Sequence, residues 1–301
     1  MSKKEKRVSL FRYGARAASK YRSGDDTLYF CPICGRGFPE KAAATGILSL
    51  EHVPIDRVGG KDLLLTCADC NSGSGWTIDA ATAALRDIQD FSRLAVGRVN
   101  GSSNSTTLEM GEQRLVASLT RRDGTTEIKI VTRANDPRSV RQFHNHMKSV
   151  ADEGKWDGYK FRLSKTVKFN QRLAKIGSLK SAFLLVFVLL GYRYAFDNRL
   201  KLVREQILGP EKEILRTGFW VTLAQGDAPK RVIAHVFKPL SFLMVNFDWF
   251  GIILPGLDSP SDLYEKLSNI SQQGVDIRIN ADAVLPWPEK LQMRLDFERN
   301  A

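Results

Sequence analysis

Cysteine is scarce in this chain, with four among 301 residues, and so is histidine, also four. All four cysteines fall between Cys31 and Cys70, in two C-x2-C pairs. None is left over to build a separate disulfide framework, so the thiols read as metal ligands in a reducing, cytoplasmic compartment. Long hydrophobic runs are missing too. The longest is Ala182 to Leu190, closely flanked by Lys180 and Arg193. A bilayer span takes about 20 such residues, so the run is expected to be a buried helix, and no membrane partner is expected. Met1 to Arg7 are charged and lead into no apolar core of the kind a secretion signal needs. Acidic residues are outnumbered, 33 against 45 Lys and Arg, which leaves a net charge of +12. That excess favours a polyanionic partner, nucleic acid before an anionic membrane surface.

What is present is concentrated in one window. Cys31-Pro-Ile-Cys34 opens it and Cys67-Ala-Asp-Cys70-Asn71 closes it. Each C-x2-C knuckle can direct two thiolates at one ion, so the pair suits a single tetrahedral Zn2+. In the gap stands Leu50-Glu51-His52-Val53-Pro54, followed by Gly59-Gly60. Leu48–Pro54 and Leu63–Thr66 read as a short β-hairpin around that glycine turn. Asp79–Leu94 reads as a helix with apolar Ala81, Ala84, Leu85, Ile88 and Phe91 on one side. The order is β, β, α.

These residues resemble the HNH endonucleases, the ββα-metal or His-Me finger group, and within it the zinc-stapled branch that includes a phage recombination endonuclease. The resemblance rests on the four cysteines, Glu51-His52, Gly59-Gly60, Leu65-Thr66, Asn71, Gly75 and Ile78-Asp79, and spans roughly residues 28–95. It implies hydrolysis of DNA phosphodiester bonds, with double-stranded DNA as the expected substrate. Such hydrolysis needs a base for water, a cation for phosphate charge and neutralisation of the leaving oxygen. A strand-end His can be the base because it titrates near neutrality, and this role falls to His52. By resemblance, Glu51 and Asn71 would hold a catalytic Mg2+ or Mn2+, beside the structural Zn2+ of Cys31, Cys34, Cys67 and Cys70. Asp62 stands where the family usually has Asn, and Glu51 where the branch has Asp; Asp62 can still hydrogen-bond across the loop. Arg57 is either a phosphate contact or a solvated surface arginine.

The expected fold class is therefore α+β: an N-terminal zinc-stapled ββα-metal module and a separate mixed α+β domain. Residues 1–27 read as a basic arm, 28–95 as the nuclease module, 96–112 as a linker rich in Asn, Gly and Ser, and 113–301 as a domain for regulation, oligomerisation or substrate selection. In the last, strands are expected at Leu115–Arg121 and Glu127–Thr132 around an Asp123-Gly124 turn, and a helix over Pro137–Asp152. Further strands are expected at Tyr159–Phe169, Phe219–Gln225, Arg231–Phe237 and Phe242–Leu254, a long helical stretch over Ser178–Leu208 and a helix over Pro260–Ser271. Between Lys155 and Lys180, Lys165, Lys168, Arg172 and Lys175 alternate with Trp156, Tyr159, Phe161 and Phe169. They form either a nucleic-acid surface or the solvated face of a core element. His144 and His146, at i and i+2 on a helix, diverge and do not suit a shared metal; His235 reads as structural.

Two function classes remain. One is an HNH-type DNA endonuclease serving restriction, anti-phage defence or recombination, with an activator or a second copy as candidate partners of the C-terminal region. The other is a non-catalytic zinc-knuckle protein that binds nucleic acid or protein. Glu51-His52 and Asn71 favour the first, because a bare zinc ribbon needs none of them.

Overall fold

A computed structural model describes residues 1–22, 27–155, 159–215, 218–222, 231–237, 240–248, 250–272 and 283–297. The chain divides into two compact units, one built from residues 1–83 and 170–301 and the other from 84–169. Both mix helices with antiparallel sheet, so the fold class is α+β.

The first unit begins with helix α1 (Lys3–Arg22), over most of the segment expected to be an arm. Phe11, Ala15 and Ala18 fall four and three residues apart and are buried, so this basic stretch carries a helical apolar stripe. Strands β1 (Leu28–Phe30) and β2 (Gly37–Pro39) pair around the first cysteine knuckle, and helix α2 (Glu40–Thr45) follows. Strands β3 (Leu48–Val53) and β4 (Lys61–Cys67) form the expected hairpin. Its connection turns at Gly59, which adopts φ +80°, a conformation open to glycine at little cost. The helical part starts earlier than Asp79. Helix α3 (Ala68–Ser74) follows Cys67 directly, a π-helical turn spans Gly75–Asp79, and helix α4 (Ala80–Ala95) carries the chain onward.

The second unit holds strands β5 (Gly101–Met110), β6 (Gln113–Arg122) and β7 (Thr125–Ile130), helix α5 (Pro137–Asp152) and strand β8 (Arg162–Ser164). The sheet order is β7-β6-β5-β8. Much of the segment expected to be a linker is therefore strand β5. Ser103, Thr106, Leu108 and Met110 are buried on it, and short hydroxyl side chains disguise the inward face. Asn135 locks the sheet's edge by accepting from Val116 N and donating to Val116 O and Val131 O. Asp136 caps α5 by accepting from Ser139 N, ahead of Pro137. The strand expected over 159–169 is only β8, and Trp156 lies outside the described residues.

The chain then returns to the first unit. Helix α6 (Gln171–Leu190) opens on an Asn170 cap and stops at Gly191, φ +87°. It is long and apolar enough to cross a membrane, yet most of it is buried inside the protein. Helices α7 (Tyr192–Ala195) and α8 (Lys201–Leu208) complete the broken stretch. Strands β9 (Trp220–Thr222), β10 (Val232–Val236), β11 (Phe242–Asn246) and β12 (Phe250–Leu254), helix α9 (Leu263–Gln272), strand β13 (Ala283–Leu285) and helix α10 (Arg294–Phe297) follow. The sheet order is β13-β10-β11-β12-β9. Residues 223–225 of the expected strand at 219–225 lie outside the described set.

This division differs from the expected one at 113. From Ile176 to Leu189 every residue of helix α6 is buried, as expected where a helix is apolar on nearly all sides. One continuous core accordingly joins Phe183 and Phe187 of α6 to Tyr29, Leu48 and Leu65 of the cysteine segment and to Val245 and Ile252 of the sheet. The cysteine segment has no separate core.

Gly177 sets how closely α6 approaches the Gly75–Asp79 turn. A Cβ there would lie 2.5 Å from the Ile78 carbonyl oxygen and would also strike Thr82 Oγ1. In an open helix Gly→Ala gains up to about 1 kcal/mol of helix propensity. Gly177→Ala is expected instead to destabilise by about 1–3 kcal/mol, the scale of overpacking. The measurement is the urea midpoint at constant m, and an unchanged or raised midpoint would contradict the close approach.

Candidate functional site

The two knuckles converge from different elements. In the first, Gly35 at φ +73° donates its N–H to Cys31 O (2.8 Å), folding Cys34 back beside Cys31. In the second, Cys67 ends β4 and Cys70 lies in the first turn of α3. The four Sγ atoms lie within 4.8 Å of one another. Cys34 Sγ and Cys67 Sγ are 3.7 Å apart, and none of the four forms a disulfide. A zinc–sulfur bond of about 2.3 Å gives a tetrahedral edge of about 3.8 Å. The cluster therefore fits a structural metal such as zinc. Arg36 supports it, donating to Cys67 Sγ (3.2 Å), Cys34 Sγ (3.5 Å) and Asp69 Oδ2 (2.5 Å). Hydrogen bonding from Cys31 brings the Cys34 thiol down to about 6 and also lowers Cys67, while Cys31 and Cys70 are pushed up by their neighbouring thiols and burial. Thiolate is the form a metal takes.

The register of the hairpin places the remaining residues. Leu48 pairs with Cys67 at one end and His52 with Asp62 at the other, with a bulge between Glu51 and His52. Successive side chains on a strand point to opposite faces. Here Glu51 and Val53 are buried, while the His52 side chain is 46% exposed. His52 Nε2 lies 3.1 Å from Asp62 Oδ1, close enough to pair but not aligned as a hydrogen bond. Asp62 Oδ2 also receives Lys6 Nζ at 3.3 Å, which reaches it from α1. Asn71, on α3, donates to Ser49 Oγ (2.8 Å) and Leu50 O (3.2 Å) and so ties the helix to β3 next to Glu51.

Glu51 faces the core. Its Oε2 accepts from Thr66 Oγ1 (2.7 Å) and its Oε1 lies 2.8 Å from Lys180 Nζ. The same ammonium is 2.9 Å from Asp79 Oδ2. In the sequence Lys180 stands only as a flank of the apolar run and the end of a basic stretch. It is instead among the most buried side chains, at 1% exposure. A charged residue two positions before the apolar run Ala182–Leu190, on the same helix, is the available signal, because such a residue needs a partner once buried. Burial pulls Lys180 downward, but Glu51 and Asp79 together hold it above the ordinary lysine range. The ammonium is thus kept at neutral pH, and its contribution is lost only as pH rises through that elevated value.

The expected ion at Glu51 and Asn71 does not fit this arrangement. Both Glu51 oxygens are engaged and the carboxylate is enclosed. Arg57 lies on the 3-10 turn Asp56–Val58. Lys165 and Lys168 belong to the second unit, and Arg172 and Lys175 to the first. Lys165 bonds Ser103 Oγ, Arg172 bonds Lys212 O, and Lys175 lies over the Trp220 ring. His146 bonds Tyr159 Oη, and His235 lies 3.4 Å from Asp258 Oδ1. Among the described residues the four cysteines are the one metal-competent cluster. No protein-family model, curated protein or solved structure matches the chain.

Purified protein is expected to carry one zinc per chain. Such a site contributes on the order of 10 kcal/mol to folding. Cys67→Ser should therefore lose the metal and unfold the hairpin, read by metal analysis and circular dichroism. Less than half an equivalent in unstripped protein would contradict the assignment.

Proposed function

We propose that this chain hydrolyses phosphodiester bonds in DNA, with His52 as the general base. The observation that carries the reading is the half-exposed His52 at a strand end, 3.1 Å from the mostly buried Asp62. The carboxylate gives the ring a partner on its Nε2 side, and the exposure of His52 lets its other side meet water. With Nε2 turned to Asp62, Nδ1 is left to receive a proton from that water. The hairpin bearing the pair ends at Cys67, so the metal cluster and the core fix its position. The charge of +12 suits a polyanionic substrate.

A second reading, a zinc module that binds nucleic acid or protein without cutting, is favoured by one observation. The enclosed Glu51 is committed to Lys180 and Thr66. The two readings part on a single assay. With Mg2+ or Mn2+ supplied, zinc-loaded protein is expected to nick or linearise plasmid DNA, leaving 5′-phosphate and 3′-hydroxyl ends. His52→Ala should slow this by about a hundredfold, the scale for losing a general base, without loss of zinc. Asp62→Asn should slow it less. Equal cutting by His52→Ala, or none by wild type, would favour the non-catalytic reading.

A further inference from the structure

Glu51, Asp79 and Lys180 form a buried acid–base–acid triad drawn from three elements. Glu51 comes from the end of β3, Asp79 from the turn before α4, and Lys180 from the middle of α6. Lys180 Nζ lies 2.8 Å from one carboxylate and 2.9 Å from the other, with side-chain exposures of 1% for Lys180, 4% for Glu51 and 18% for Asp79. Asp79 Oδ1 is buried with no hydrogen-bond partner. Two carboxylates converging on one point, with an unused oxygen, make the kind of hard-oxygen site that divalent cations take.

We infer that Lys180 is the resident cation of the Glu51–Asp79 site and excludes a divalent ion from it. A magnesium or manganese ion bonded to Oε1 would sit about 2.1 Å from that oxygen, in the space that the ammonium occupies. Thr66 takes the other oxygen, and the Glu51 carboxylate is enclosed. Nor can the ammonium readily step aside. Gly177, one turn earlier, fixes α6 against Ile78, and the helix around Lys180 is packed on all sides. An unpaired ammonium left in that core would be costly. The inference deepens the hydrolase reading, since any divalent ion assisting His52 would then have protein ligands other than Glu51. Its test uses no DNA, so failure of either idea leaves the other standing.

The test is a Mn2+ titration of zinc-loaded, full-length protein, with free Mn2+ counted by electron paramagnetic resonance. Wild type and Glu51→Gln are expected to take up the same Mn2+. Lys180→Ala empties the pocket and leaves two carboxylates. It should bind one further Mn2+ about ten- to a hundredfold more tightly than wild type, the scale on which neighbours of a metal site change affinity. That uptake should disappear in Lys180→Ala/Glu51→Gln. Mn2+ should also raise the melting temperature of Lys180→Ala and leave that of wild type unmoved. Wild-type uptake abolished by Glu51→Gln would overturn the inference, as would a folded Lys180→Ala that binds no extra ion. If Lys180→Ala does not fold even with Mn2+, the comparison of wild type with Glu51→Gln decides: equal uptake supports the inference and unequal uptake overturns it.

Discussion

The ammonium of Lys180, held between Glu51 and Asp79, is the contact on which the first unit's arrangement depends. It is an ion group against a core rich in Phe, Leu, Val and Tyr. Replacing such a group with fitted apolar residues is often neutral, whereas removing one member costs about 3–5 kcal/mol, because a bare charge stays behind. Its value is therefore geometric. Apolar packing alone lets a smooth helix slide or turn, but two carboxylates from two other elements fix α6 in both respects. Burial raises Asp79 above its ordinary range, while the lysine works the other way.

The cysteine cluster is the second constraint, and it acts at the opposite end of the hairpin. Leu48 and Cys67 pair there, and Cys67 Sγ lies among the other three sulfurs. Ordinary strand alternation sends Glu51 inward and His52 outward. The acid-His pair is thereby divided between stability and surface chemistry. His52 takes its acidic partner from across the hairpin, in Asp62, which Lys6 also holds.

Much of this was legible in the residues. The knuckles, the hairpin with its Gly59 turn, the Asp123-Gly124 turn and the capped α5 carry local signals, and local signals survive folding. What was not legible depends on long-range partners. Strand β5 hides its inward face in Ser103 and Thr106, so composition suggested a linker. Helix α1 is basic overall, and only the spacing of Phe11, Ala15 and Ala18 betrays its buried side. The partners of Lys180 lie 129 and 101 residues away in sequence, at Glu51 and Asp79; no spacing rule connects them. The same distance effect misplaced the domain boundary, because α6 completes the core of a segment that looked self-contained.

The most direct measurement is anomalous diffraction from crystals of the full chain grown with manganese, recorded at the zinc and manganese edges. The expected result is a zinc peak among Cys31, Cys34, Cys67 and Cys70, with Lys180 Nζ between Glu51 and Asp79 and no manganese peak there. A manganese peak bonded to Glu51, with the Lys180 side chain turned away, would contradict the account.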